Sequence, residues 1–200
     1  MDTRDLLAAP RGRIRTVYSR AEVRAMIDHC RKQPKLKWLQ YVIVALSHLG
    51  LRLGELVGLR WCDLDFESGL VRIADERTSV KKLRAGTART TKGRRSRTIP
   101  LHLELAKMFV TMPKLPGGRV FHSARGGVLR ENNPLKIFKE QVIQPLAKLH
   151  PEMDGEIGFS HGTFHSFRHF FCSQRFVSGA SEGEVREWMG HRDSKIVETY

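Results

Sequence analysis

Apolar residues in this chain recur mostly at helical spacing. Ser19 is followed three residues later by Glu22, and Val23, Met26, Ile27 and Cys30 come next at intervals of three and four. That pairing has the form of a capping box and marks a helix start. From Trp38 to Leu49 apolar side chains occupy nearly every face (Leu39, Tyr41, Val42, Ile43, Val44, Leu46), which predicts a central, buried helix ended by Gly50. The stretch "RLGELVGLRW" is short and amphipathic; "GLVRIA" and "RSRTIP" then alternate as half-buried strands do, with a long basic connection between them. Helical patterns resume in Leu101 to Met108, in Pro134 to Leu149 and in Phe164 to Val177. A second capping box, Ser181 to Glu184, opens a helix carrying Val185, Trp188 and Met189. The pattern predicts an α+β fold, mainly helical, with a small antiparallel β-sheet and no internal repeat. A length of 200 residues suits one globular unit rather than two full domains. Residues 1–18 read as a basic, flexible leader to a unit spanning 19–200.

Charge narrows the choice of partner. The net charge is +14, which favours a polyanion, with nucleic acid ahead of an anionic membrane surface. No apolar run reaches the length of a transmembrane helix, and the first residues lack the apolar stretch of a signal peptide. Cys30, Cys62 and Cys172 are odd in number, far apart and outside any metal-binding pair, so the expected compartment is reducing, without a disulfide framework or a zinc module. The stretch from Arg77 to Arg97 holds nine basic residues and no acidic one. Lys81, Lys82, Arg84, Arg89, Arg94, Arg95 and Arg97 are therefore expected to contact phosphates. Lys92 stands apart because "TKGR" predicts a hairpin tip that can push one ammonium into a groove.

In "HSFRHFF" the helical wheel gathers His165, Arg168, His169 and Cys172 in one sector and Phe164, Phe167, Phe170 and Phe171 in another. The aromatics should bury the helix and leave His165 and Arg168 side by side. Arg52 lies just past Gly50, with Glu55 three residues on; this is either a simple ion pair or an arginine fork aimed at a phosphate and oriented by Glu55. Ile196, Val197 and Tyr200 share one helical face, a pattern that core packing alone also explains.

Arg52, Lys92, His165-x-x-Arg168, Gly190-His191 and Tyr200, in that order, resemble the tyrosine recombinase or phage integrase family. The wording of "LGLRLGELVGLRWCDLDF", "TKGRRSRTIPL" and "MGHRDSKIVETY" is similar to that family's arginine, lysine and GH…Y boxes, and the resemblance runs from about Ser19 to Tyr200. It implies a catalytic domain clamped on duplex DNA, and site-specific strand exchange through a covalent 3′-phosphotyrosyl link. Arg52 and Arg168 would hold the non-bridging oxygens and His191 would add a hydrogen bond. His165 would assist proton handling, Lys92 would protonate the leaving 5′ oxygen, and Tyr200 would attack. No energy cofactor is expected, because one ester is traded for another of similar energy, and no metal, because these side chains already answer the charge and the protons, while Asp63, Asp65, Glu182 and Glu184 form no convincing carboxylate cluster. Expected partners are duplex DNA and further copies of the protein, as a tetrameric synapse in the full-length protein, in the nucleoid of the cytoplasm. The family's N-terminal DNA-binding domain and post-tyrosine segment have no counterpart here, so autonomous recombination is not expected of this stretch. A DNA-binding regulator without chemistry and a type IB topoisomerase are the other readings compatible with the scaffold.

Overall fold

The computed structural model describes residues 18–86, 88–92, 94–130, 134–151 and 158–190. Helix α1 (Arg20–Arg31) starts at the predicted capping box: the Glu22 amide donates to Ser19 Oγ at 3.2 Å, and the Ser19 amide to Glu22 Oε2 at 2.6 Å. Helix α2 (Lys37–Leu49) buries Leu39, Val42, Ile43, Ala45, Leu46 and Leu49. Because it is apolar on almost all sides, it takes the central place and packs against α1, the short α3 (Leu53–Gly58), α5 (Leu103–Thr111) and α8 (Phe164–Val177).

The sheet has three antiparallel strands in the order β1 (Leu64–Asp65), β2 (Leu70–Ile73) and β3 (Arg97–Pro100). Its register pairs Leu64 with Val71 and Val71 with Ile99. The period of two buries Val71 and Ile73 and turns Arg72 outward; on β3 it buries Arg97 together with Ile99. The β2–β3 connection contains a further short helix, α4 (Val80–Arg84).

Helix α5 begins two residues later than its apolar pattern suggests, because β3 runs to Pro100 and His102 caps the helix through the Glu104 amide. The expected helix from Pro134 is present as α6 (Pro134–Phe138) and α7 (Gln144–Ala147), joined by a π-helical turn at Lys139–Ile143. Pro145 has no N–H to offer the carbonyl four residues back. That carbonyl, on Gln141, lies 2.7 Å from His29 Nε2 of α1, which satisfies it from outside the helix. Phe138 stacks on Phe164 at 4.7 Å between ring centroids, and Tyr18 meets Phe167 at 4.9 Å, so aromatic packing fixes the start of α8. Helix α9 (Glu182–Met189) has the second predicted capping box and lies against β3 and α8. No helix among the described residues is long and apolar enough to cross a membrane.

Candidate active site

The site is assembled where α2, α3, α8, α9 and β3 meet. Gly50 ends α2 with φ +59°, and a Cβ there would fall 2.8 Å from Phe171 Cγ of α8. Only glycine meets both conditions, so α8 can press directly on the turn that carries Arg52. Arg52 is the N-cap of α3; its amide donates to Glu55 Oε2 at 3.0 Å and its Nη1 to Oε1 at 3.3 Å. The Arg52 side chain remains 27% exposed, while that of Glu55 is 4% exposed.

Arg168 is buried on α8. Its Nη1 donates to the Gly50 carbonyl at 2.6 Å and its Nη2 to the Met189 carbonyl. Arg97 reaches the same place from β3, with Nε donating to the Trp188 carbonyl at 2.7 Å and Nη1 and Nη2 to the two Glu55 oxygens at 3.0 and 2.7 Å. The last carbonyls of α9 and the end of α2 therefore finish on guanidinium groups, where orphan acceptors and the negative end of the helix dipole favour cations. Burial would push the Glu55 carboxyl up, but Arg97 by hydrogen bond and charge, with the Arg52 amide and the charge of Arg168, holds it below the ordinary carboxylate value. The carboxylate stays ionised and Arg52 is oriented against it.

Helix α8 starts with Thr163 capping the His165 amide at 3.2 Å, and the Thr163 amide donates to Ser166 Oγ at 3.1 Å. His165 is exposed in the first turn, its ring 5.1 Å from that of His169 in an edge-on contact. Arg168, His169 and Cys172 are buried. The polar sector of the wheel is thus a second packed face and not a solvent-facing one; of its four members, His165 alone is exposed. Among the described residues no group of three or more His, Cys, Asp or Glu side chains is placed to hold a metal ion.

Lys92 is exposed on a turn closed by the Arg94 amide donating to the Thr91 carbonyl at 3.1 Å. The turn sits within the long connection rather than at the tip of two paired strands. Lys92 and Arg52 line one cavity of about 400 Å³, shared with Glu55, Arg72, Arg89 and Arg119. The structure therefore brings the arginine box and the lysine turn to one basic recess. Arg72 and Arg119 were missed from the sequence; for Arg72 the signal was its outward register on β2, while Arg119, whose Nη1 donates to the Val57 carbonyl at 2.9 Å, carries no local pattern.

Two of the expected phosphate contacts have other work. Arg89 Nη2 donates to Asp63 Oδ1 at 3.1 Å and to Glu76 Oε1 at 2.8 Å, and its side chain is 16% exposed. Arg97 is paired with Glu55, with its side chain 6% exposed. Both lie within the fold, where buried carboxylates answer their charges, rather than out on its surface. Lys82 is half-exposed and paired with Glu76, whereas Lys81, Arg84, Arg94 and Arg95 are exposed. His191 and Tyr200 lie outside the described residues. The described chain leads up to them at Gly190, where φ is +65° and a Cβ would lie 3.1 Å from Arg97 Nη1.

A model of the phage integrase family matches residues 17–200. The chain is 27% identical over 173 residues to a protein named tyrosine recombinase XerC-like from Caldanaerobacter subterraneus subsp. tengcongensis, a match covering 74% of this chain and 41% of that protein. The fold is similar to that of the Tn1549 transposon integrase (aa 82-397, Y379F) in complex with transposon right end DNA, with a TM-score of 0.72 at 19% identity, covering 100% of this chain and 65% of that one. It is also similar to a lambda integrase tetramer bound to a Holliday junction, with a TM-score of 0.66 at 15% identity, covering 96% and 50%. The chain spans under half the length of the curated relatives it matches.

Proposed function

The chain belongs to the phage integrase family, and from that membership we propose that it is the catalytic domain, over residues 19–200, of a site-specific recombinase. The observation that carries the reading is the shared basic recess: Arg52, oriented by Glu55, and Lys92 line one cavity, and Arg168 is anchored to the same turn at Gly50. The reaction exchanges one phosphodiester for another. The Tyr200 oxygen bonds to the scissile phosphorus while the bond from phosphorus to the 5′ oxygen breaks. Lys92 gives its proton to that oxygen, and the phenol proton leaves with His165 assisting. Negative charge gathering on the non-bridging oxygens falls to Arg52 and Arg168, with His191 adding a hydrogen bond. Rejoining runs the same steps in reverse with a new 5′ hydroxyl.

Duplex DNA is the proposed substrate and further copies of the protein are the proposed partners, in keeping with the lambda integrase tetramer whose fold this chain shares. The proposed place of action is the nucleoid of the cytoplasm. To test the reading, the full chain is incubated with a pool of nicked duplexes of randomised sequence, denatured in detergent, and stripped of DNA that is not covalently held. We expect strands linked by their 3′ phosphate to the peptide that contains Tyr200, enriched for one sequence. Tight binding with no linked strand would instead mark a regulator, and linkage without sequence enrichment a topoisomerase-like activity.

A further inference from the structure

We propose that Arg97 is a positioning residue for strand cleavage, acting through Glu55 on Arg52 and tying that pair to the end of α9. The proposal deepens the recombinase reading and rests on it.

Three observations converge on this one side chain. The strand register turns Arg97 into the protein beside Ile99, away from the surface where its neighbours Arg94 and Arg95 are exposed. Its fork then engages both oxygens of Glu55, at 3.0 and 2.7 Å, the same two oxygens that accept from the Arg52 side chain and amide. A planar guanidinium against a carboxylate fixes direction as well as distance, which a lysine cannot do. Finally, Nε donates to the Trp188 carbonyl at 2.7 Å, and the side chain lies where any Cβ at Gly190 would come within 3.2 Å of it. Arg97 is thus the strut between the arginine box and the end of α9. Without it Glu55 keeps its ion pair with Arg52 at 3.3 Å and draws that fork away from the recess.

A strut predicts a different kinetic signature from a phosphate contact. Losing a DNA contact weakens binding; losing alignment slows the bound complex, and a displacement of about 1 Å at a reacting group can cost roughly 10²-fold. The experiment uses the full chain and the duplex enriched from the randomised pool. Arg97→Gln should bind that duplex as tightly as the wild type and cleave it at saturation about 10- to 10²-fold more slowly. Arg97→Lys, which keeps a cation beside Glu55 but loses the fork, should fall between them and covers the case in which the glutamine variant does not fold.

A second substrate separates alignment of Arg52 from general damage. Replacing one non-bridging oxygen of the scissile phosphate by methyl removes its negative charge and with it much of the demand on Arg52. The gap between wild type and Arg97→Gln should narrow on this methylphosphonate, as it should for Arg52→Ala. An equal defect on both substrates, or weaker binding with normal cleavage at saturation, overturns the proposal. If the wild-type chain links to no duplex in the pool, the recombinase reading fails. The strut is then judged by carbon-13 titration of the Glu55 carboxyl: a rise in Arg97→Gln supports the link and an unmoved carboxyl overturns it.

Discussion

Lys92 has its position set by the residue before it. The Thr91 amide and hydroxyl both donate to Asp75 Oδ2, at 2.8 and 3.0 Å, so a fixed point holds the turn on which the exposed ammonium stands. If that ammonium is the general acid, Lys92→Ala should slow cleavage by ~10²–10⁴-fold on ordinary DNA and leave affinity unchanged. A substrate with sulfur at the 5′ bridging position leaves as a thiolate, whose conjugate acid has a pKa of about 8.5 against about 15.7 for water as an alkoxide-like reference. The variant should recover most of its rate there, and Arg52→Ala should not, since its task lies on the non-bridging oxygens. Rescue of Lys81→Ala instead would move the acid to α4. Arg97 shows how residue-level reading went astray. "RTIP" already alternates, so Arg97 had to share the inward face of Ile99, but counting charges along the connection treated it as one more surface cation.

At the scale of elements, the long connection is held by acids that stand just before it. Arg77 and Thr91 converge on Asp75, and Arg89 and Lys82 on Glu76. Burial works to raise the Asp75 carboxyl, yet the Thr91 amide and Arg77 outweigh it and bring it down to about 2. Hydrogen bonds from Arg89, against the opposing effect of burial, and then from Lys82 hold Glu76 well below the carboxylate range. Both groups are lower in the folded than in the unfolded chain, where carboxylates titrate near 4. Their stabilisation is complete above that range and is lost as pH falls through it toward about 2. Urea titrations should therefore show stability dropping with acid below about pH 4, and Asp75→Asn should flatten that acid limb. An unchanged limb would mean that these carboxylates do not tie the connection down. The same scale shows what sequence can reveal. Helices α1 and α9 were legible because capping boxes and apolar periodicity agree, α2 and α8 from apolar periodicity, and the end of α2 from Gly50, which takes a left-handed turn. Strand β1 is two residues long and carries no period, and α4 has no buried residue to mark a face. The π-helical turn answers to Pro145 and a histidine 112 positions away in sequence, which no local window contains.

For the molecule as a whole, a net charge of +14 says only that a polyanion is favoured. The fold divides that charge. Arg89 and Arg97 stabilise the interior, while Lys81, Arg84, Arg94 and Arg95 are exposed on the connection that carries Lys92. DNA affinity should fall with salt with a slope of about −0.9 per phosphate contact, and replacing the four exposed residues by glutamine should flatten it. Arg89→Gln should lower the melting temperature with little change in that slope; equal slopes for all variants would place the DNA elsewhere. Strand cleavage as proposed turns on the phenol of Tyr200. The most direct measurement compares the full chain with its Tyr200→Phe variant on the enriched nicked duplex, reading covalent linkage after denaturation and affinity before it. Equal affinity is expected, with a linked strand for the wild type alone, mapped to the tyrosine by mass; a linked strand with the phenylalanine variant would put the nucleophile elsewhere.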